Sequence, residues 1–358
     1  MSKVILLAPT PPPAGGIATW AVRMMNAGLK NGWQAELVDE SVIGNRQIFG
    51  EGSRRNVFTE ARRCFRIWGD LKRALRDPDA RVVHSCIPSL TLSMLREYVC
   101  ARITKRRGRK FIVHLHSTVP NAAKGRFAVW LLKKLCDASD MVITLNTRSI
   151  DCVMALTQTP CRLIPNFVMP DEVVDCHDIR PDIRTAVYVG GVVEEKGAYD
   201  ILKVAKLTPD VIFRLVGNAD AEVKKAAEGL RNVVFVGAIP HADVKRELMN
   251  ADVFIFMSHF RGEGFSVSLT EAMAAGLPCI VTDWAANRNM IGDEGGAVVA
   301  VGDAEGAAEA FARLRDPELR KKCSEANIKK VSEKYTSTAV IDQFVGAYAD
   351  VIGDKTQQ

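Results

Sequence analysis

The chain has 358 residues, 47% apolar and 25% charged, which allows two domains with separate cores and excludes a disordered composition. Its nine cysteines are scattered without a CxxC pair, so neither a disulfide framework nor a zinc site is expected and a reducing cytoplasm fits. Residues 1–178 carry 26 Lys+Arg against 16 Asp+Glu and residues 179–358 carry 22 against 26, so the first half is expected either to meet an anionic partner or to keep a basic surface for solubility.

The first apolar run, Val4–Ala8, predicts a strand. It is too short for a signal peptide and is followed at once by Pro9 and Pro11-Pro12-Pro13. No stretch approaches the roughly 20 apolar residues that span a bilayer. Further strands are predicted at Ala35–Val38, Val82–Ser85, Phe111–His114 and Met141–Leu145, with helices over about 17–31, 58–76, 90–105, 124–137 and 147–156. Residues 41–57, with Gly44, Gly50 and Gly52, read as a long surface loop. On the helix at 58–76, Arg62, Arg66, Arg73 and Arg76 share one face, while Cys64, Ile67, Trp68, Leu71 and Leu75 share the other. A helix packed by its apolar side on a sheet is the ordinary reading. A membrane contact through this helix, or through Arg106-Arg107-Gly108-Arg109-Lys110, is the sharper one.

Met169–Pro181 reads as a connector. A second unit begins near Arg184, with strands at Thr185–Val189, Val211–Leu215, Val233–Val236, Val253–Met257, Cys279–Thr282 and Ala297–Val299. The regular alternation of strand and helix predicts an α/β protein with parallel sheets. The domains are expected at 1–178 and 179–337, with a final helix at about 338–353 crossing back to the first.

Two glycine turns follow the first strand of each half. Gly15-Gly16 opens the first helix, where backbone N–H groups and the helix dipole suit a phosphate; a turn needing glycine for positive φ is the alternative. Neither turn has the G-x-G-x-x-G dinucleotide spacing. Gly190-Gly191 precedes Lys196-Gly197, a lysine beside a helix start, which either holds an anion or pairs with Glu194 or Glu195. Glu263 lies between Gly262 and Gly264, presented by loop backbone to accept from sugar hydroxyls. Glu271, eight residues on, either closes a capping box with Ser268 or accepts the ribose hydroxyls of a nucleotide while Ser266 caps the helix. His84, His114 and His116 are placed at strand ends facing a cleft, the last two on one side of their strand.

These residues resemble the retaining nucleotide-sugar glycosyltransferases of family 4, over most of the chain. The likeness rests on Gly15-Gly16-Ile17, Ile164-Pro165-Asn166, Lys196-Gly197, Phe235-Val236-Gly237, and above all the E-x7-E element from Glu263 to Glu271, continuing as Ala272-Met273-Ala274-Ala275-Gly276-Leu277-Pro278. The resemblance implies a GT-B architecture of two Rossmann-like domains facing across a cleft. It implies that Lys196 binds the donor diphosphate, that Glu263 holds the transferred sugar beside the Gly264 and Phe265 backbone, and that Glu271 grips the ribose. Gly237, Ala238 and Ile239 then edge the base, Gly16 approaches the diphosphate, and His116 contacts the donor sugar, with Gly15, Gly191 and Ser266 completing the donor set. No metal and no cofactor beyond the donor is implied. Where the family often has an arginine before this lysine, the chain has Gly191, so Arg261 or Arg288 is the candidate substitute; Trp284–Asn289 departs from the family's Gly-Gly and Glu.

The expectation is a retaining glycosyltransferase moving a sugar from a UDP- or GDP-linked donor to a hydroxyl of a glycan or polyprenyl-diphosphate-linked acceptor. Cell-surface polysaccharide or glycolipid assembly is the expected setting. A location in the cytoplasm, peripheral to an anionic inner membrane face, goes with this reading, and nucleic acid is not an expected partner. The alternatives are a nucleotide-sugar 2-epimerase, which would act on donor alone, and a non-catalytic nucleotide-sugar binding protein. A nicotinamide dehydrogenase is disfavoured by the glycine spacing.

Overall fold

A computed structural model describes residues 2–12, 15–42 and 57–353. The chain forms two units: Met1–Phe167 with Arg261–Phe265 and Ser337–Gln358, and Val168–Phe260 with Ser266–Thr336. The boundary expected between 178 and 179 falls instead between Phe167 and Val168. In the structure the connector pairs with the second unit from its first residue, Val168 N donating to Tyr335 O at 2.9 Å. Most of the surface loop expected at 41–57 lies outside the described residues.

In the first unit, β1 (Ser2–Ala8), α1 (Gly16–Ala27), β2 (Trp33–Asp39), α2 (Val57–Ala74), β3 (Ala80–Ile87), α3 (Thr91–Arg106) and β4 (Lys110–Leu115) follow one another. A four-residue turn α4 (Val119–Ala122), then α5 (Arg126–Asp137), β5 (Met141–Thr144), α6 (Thr147–Met154) and β6 (Cys161–Leu163) complete the alternation. The six strands are parallel in the order β2-β1-β3-β4-β5-β6. Ile67 and Leu71 of α2, Met94 and Cys100 of α3, and Leu131 and Leu135 of α5 bury against Ile5, Val83, Phe111 and Val113 of the strands. The ordinary reading of α2 therefore holds: its apolar stripe faces the sheet while Arg62, Arg73 and Arg76 are exposed. Helix α1 stops at Ala27, earlier than the expected 31, because Gly28, Asn31 and Gly32 all take left-handed φ (67°, 58° and 76°) and end the helix. Strand β6 was not anticipated, since three residues carry no readable period.

The second unit runs β7 (Thr185–Val189), α7 (Ala198–Leu207), β8 (Ile212–Val216), α8 (Ala221–Ala226), β9 (Val233–Gly237), α9 (His241–Met249), β10 (Val253–Phe256) and α10 (Val267–Ala274). It ends with β11 (Cys279–Thr282), α11 (Asn287–Ile291), β12 (Gly296–Val299), α12 (Ala304–Arg313) and α13 (Pro317–Lys334). Its sheet is also parallel, in the order β12-β11-β10-β7-β8-β9. The last helix, α14 (Ser337–Ile352), belongs to the first unit, where Phe344 and Tyr348 are wholly buried.

In each sheet the strand order reverses once, beside β1 and β3 in the first and between β7 and β10 in the second. At such a point the loops leave the carboxyl ends of adjacent strands in opposite directions and open a crevice for a ligand.

Candidate active site

In the second unit the crevice is built from the loops after β7 and β10. Strand β7 leaves into Gly190 (φ 149°) and Gly191, whose carbonyl accepts from Tyr188 Oη at 2.8 Å. A single 3₁₀ turn, Glu194–Lys196, then meets Gly197, left-handed at φ 80°, before α7 starts. Gly197 is needed on two counts. Its φ disfavours other residues, and a Cβ there would sit 2.1 Å from Met257 O, just past the end of β10. Glu195 O accepts from His259 N at 3.1 Å, so this turn is pinned to the loop after β10. The result carries Lys196 Nζ to 4.7 Å from the Phe260 ring centroid and 6.0 Å from that of Phe256. A cation over these faces is attracted by the ring quadrupoles, by about 0.5–2 kcal/mol, and stays at the strand ends.

Helix α10 resolves the alternatives for Glu271. Ser266 is the N-cap, its Oγ accepting from Leu269 N at 3.3 Å, and the Ser268-based capping box is not what starts the helix. Glu271 Oε1 instead accepts from His241 Nε2 at 2.9 Å, at the first residue of α9. The candidate base-edging residues Gly237 (φ 81°) and Ile239 lead directly into that histidine. Gly217 N donates to Gly237 O at 2.8 Å, tying the ends of β8 and β9 together. Glu172 also approaches: one potential ligand atom each from Glu172, His241 and Glu271 lie within 4.8 Å of one another. This trio is a feature that the sequence did not reveal, because its members are 30 to 99 residues apart. Arg288, a candidate replacement for the family arginine, pairs with Asp283 at 2.8 Å on an exposed surface. A cavity of about 570 Å³ in the same unit, lined by Asp293, Arg313, Lys322 and Lys329, contains none of the candidate residues.

The E-x7-E element is divided between the units: Arg261–Phe265 pack with the first, Ser266 onward with the second. The expectation that flexible glycine backbone presents Glu263 is corrected by this packing. Thr118 N donates to Glu263 O at 2.8 Å, Asn146 Nδ2 to Gly264 O at 3.1 Å, Asn166 Nδ2 to Phe265 O at 2.9 Å, and Arg261 Nε to Asn121 O at 3.2 Å. Gly264 is small for close approach, not for freedom: a Cβ would fall 2.2 Å from His116 O. Four bonds and one backbone contact thus strap this segment beside the end of β4, with Glu263 only 8% exposed.

His116 follows β4 directly and is 7% exposed, its ring 5.3 Å from Trp20 of α1 and 4.0 Å from His114. His114 and His116 do share a side. However, His84 and His114 do not end strands facing an open cleft. His84 lies within β3, its Nδ1 2.7 Å from Tyr348 Oη of α14 and its Nε2 3.2 Å from His114 Nδ1. These two fill the core where the crossing helix covers the sheet. Burial pushes the His84 and His116 imidazoles down to about 3, so His116 is neutral at physiological pH, with an Nε2 that lacks a protein partner. An orphaned buried ring nitrogen at the carboxyl end of a sheet is suited to a ligand hydroxyl. Gly15, the N-cap of α1, is extended at φ −169°, so a positive-φ requirement does not explain it; Gly16 begins the helix. Neighbouring Pro13 and Ala14 lie outside the described residues. His84, Cys86 and His114 also bring three potential metal ligands within 4.8 Å of one another, all buried.

Two parallel six-stranded Rossmann-like units define the GT-B fold. Sucrose-phosphate synthase from Thermosynechococcus elongatus superposes with a TM-score of 0.78 at 18% identity, covering 99% of this chain and 100% of that one. The Anabaena protein HepE, solved in complex with UDP, gives 0.71 at 14% identity over 98% and 100%. Residues 174–330 match the family model described as glycosyl transferases group 1. A phosphatidyl-myo-inositol mannosyltransferase of Mycobacterium leprae is 30% identical over 185 residues, 49% of each chain. The match thus spans about half the length of that curated relative.

Proposed function

We propose that the protein is a retaining glycosyltransferase that moves a sugar from a nucleotide diphosphate donor to a hydroxyl of a glycan or lipid-linked acceptor. The observation that carries this is the switch point of the second sheet, where Lys196 follows β7 and the Ser266-capped helix bearing Glu271 follows β10. In this reading the Lys196 ammonium and the Gly191 N–H meet the diphosphate, the Gly190 N–H being taken by Val216 O, and Glu271 takes the ribose hydroxyls. Glu263 and the neutral His116 hold the transferred sugar. As the bond from C1 to the diphosphate stretches, charge grows on the leaving oxygen and is stabilised by groups already in place. With Gly191 where the family often has an arginine, Lys196 carries more of that task. The reaction needs no metal, and chelation by EDTA leaves turnover unchanged. A loss on chelation that zinc or magnesium restores would reassign Glu172, His241 and Glu271 as metal ligands.

The UDP held by HepE and the mannosyl group in the name of the M. leprae relative make UDP-sugars and mannose-bearing nucleotide donors the first to test. Thermal-shift screening detects binding by mass action, and donor hydrolysis and acceptor transfer then separate the readings. Melting raised by one donor, with slow hydrolysis and transfer to an acceptor at retained anomeric configuration, is the expected result. Product from donor alone without hydrolysis indicates an epimerase, and binding without any turnover a non-catalytic protein. The expected setting is glycolipid or polysaccharide assembly at the cytoplasmic face of an anionic membrane, met through the basic first unit. Among the described residues no helix is long and apolar enough to cross a membrane.

A further inference from the structure

We propose that the outer face of α5 docks on an anionic phospholipid bilayer. This deepens the membrane-facing reading above and rests on it, but places the contact on a surface other than α2 or Arg106–Lys110. Helix α5 turns Ala128, Leu131, Leu132 and Leu135 into the core of the first unit. The opposite arc carries Arg126, Phe127, Trp130, Lys133, Lys134 and one acid, Asp137, all exposed. Phe127 and Trp130 are 62% and 53% exposed and stack on one another, ring centroids 5.7 Å apart at 24°. A single exposed apolar side chain needs no explanation, but a stacked aromatic pair flanked by cations on one helix face does.

The charge around the pair identifies the partner. From Thr91 to Asp137, the end of α5, the chain carries 11 Lys+Arg and two carboxylates, Glu97 and Asp137. Glu97 is buried and bonded to Arg96 at 2.5 Å and to Ser85 at 2.8 Å, whereas exposed Asp137 pairs with Lys133 at 2.9 Å, so Arg126 and Lys134 carry the positive charge of this face. An amphipathic face that pairs aromatic rings with lysine and arginine fits the headgroup boundary of a bilayer. There, rings enter the acyl edge and cations meet anionic headgroups. Nucleic acid would use the cations but leave the ring pair, stacked on itself, without a role; a second copy of this basic face would be repelled.

The test is sedimentation of the full-length chain with vesicles of phosphatidylcholine, with and without phosphatidylglycerol. Binding is expected only with phosphatidylglycerol, weakening with salt. Arg126→Gln and Lys134→Gln should each weaken it about fivefold at low salt, and Lys133→Gln less, since that lysine already pairs with Asp137. Phe127→Ser with Trp130→Ser should weaken it on the order of tenfold with unchanged melting temperature. Brominated lipid should quench tryptophan fluorescence in the wild type and quench it less in Trp130→Phe. If the wild type ignores anionic vesicles, the membrane reading itself falls. If the wild type binds but the α5 variants bind equally while Arg62→Gln with Arg73→Gln does not, only the assignment to α5 falls. Loss of self-association or of RNA binding in the α5 variants, with vesicle binding intact, also overturns it.

Discussion

Replacing Gly197 by alanine tests whether the turn after β7 is the device that places Lys196. Two costs are separable there. The first is a left-handed backbone, φ 80°, which an alanine bears at about 1–2 kcal/mol. The second is steric: the new Cβ would lie 2.1 Å from Met257 O, where real Cβ atoms stay beyond 3.0 Å, so the turn must retreat by about 0.9 Å. Both partners of the clash are backbone, so no side-chain rotation relieves it. A displacement near 1 Å of a group poised on a leaving oxygen lowers turnover by roughly 10²-fold. Gly229→Ala is the matched control, since it has the same left-handed φ (87°) and no atom within 4 Å of the added Cβ. Both variants should lose melting temperature through the shared backbone term, Gly197→Ala more. Only Gly197→Ala should lose donor turnover, measured as steady-state hydrolysis and transfer. Equal turnover in the two variants would refute the idea that this backbone contact positions the ammonium.

Other consequences follow from the same geometry. Lys196→Ala should lower kcat roughly 10²–10³-fold, as removal of a preorganised charge donor does, and near-normal turnover would remove Lys196 from the leaving-group role. Glu271→Ala should weaken nucleotide diphosphate binding by about 10–100-fold in calorimetry, the weight of charged hydrogen bonds, and His241→Ala less than tenfold; unchanged affinity in Glu271→Ala would sever it from the ribose. For the histidine core the sign follows from its lowered pKa values. His84 and His116 have folded values near 3 against about 6.5 unfolded, so the unfolded chain binds more protons as pH falls. Their stabilisation is complete above about pH 6.5 and is lost towards 3, together amounting to about 4 kcal/mol by pH 5. The melting temperature should therefore fall steadily from pH 7 to 5, with a shallower slope in His84→Gln. A flat profile would contradict neutral burial.

Eleven strands of the parallel sheets, from Val4–Ala8 to Ala297–Val299, were legible as apolar runs between helical periods, and so was the helix that returns at the end of the chain. The glycine turns after β1 and β7 and the E-x7-E spacing were equally plain, because each is a local requirement written in adjacent residues. What escaped were pairings. Nothing within the segment Ser266–Glu271 decides which serine caps α10, and the partners that strap the preceding Arg261–Phe265, Thr118, Asn121, Asn146 and Asn166, lie far away in the sequence.

Periodicity and glycine placement act over a few residues, so the amino-acid order alone determined an α/β chain with parallel sheets and glycine turns after particular strands. Packing decided the rest, across 30 residues between His241 and Glu271 and 264 between His84 and Tyr348. It turned two of three histidines into core and packed the third's backbone against Gly264. It also set an ammonium over an aromatic ring and left Phe127 and Trp130 uncovered. These outcomes depend on which surfaces meet when distant segments fold together, and no local pattern encodes that meeting.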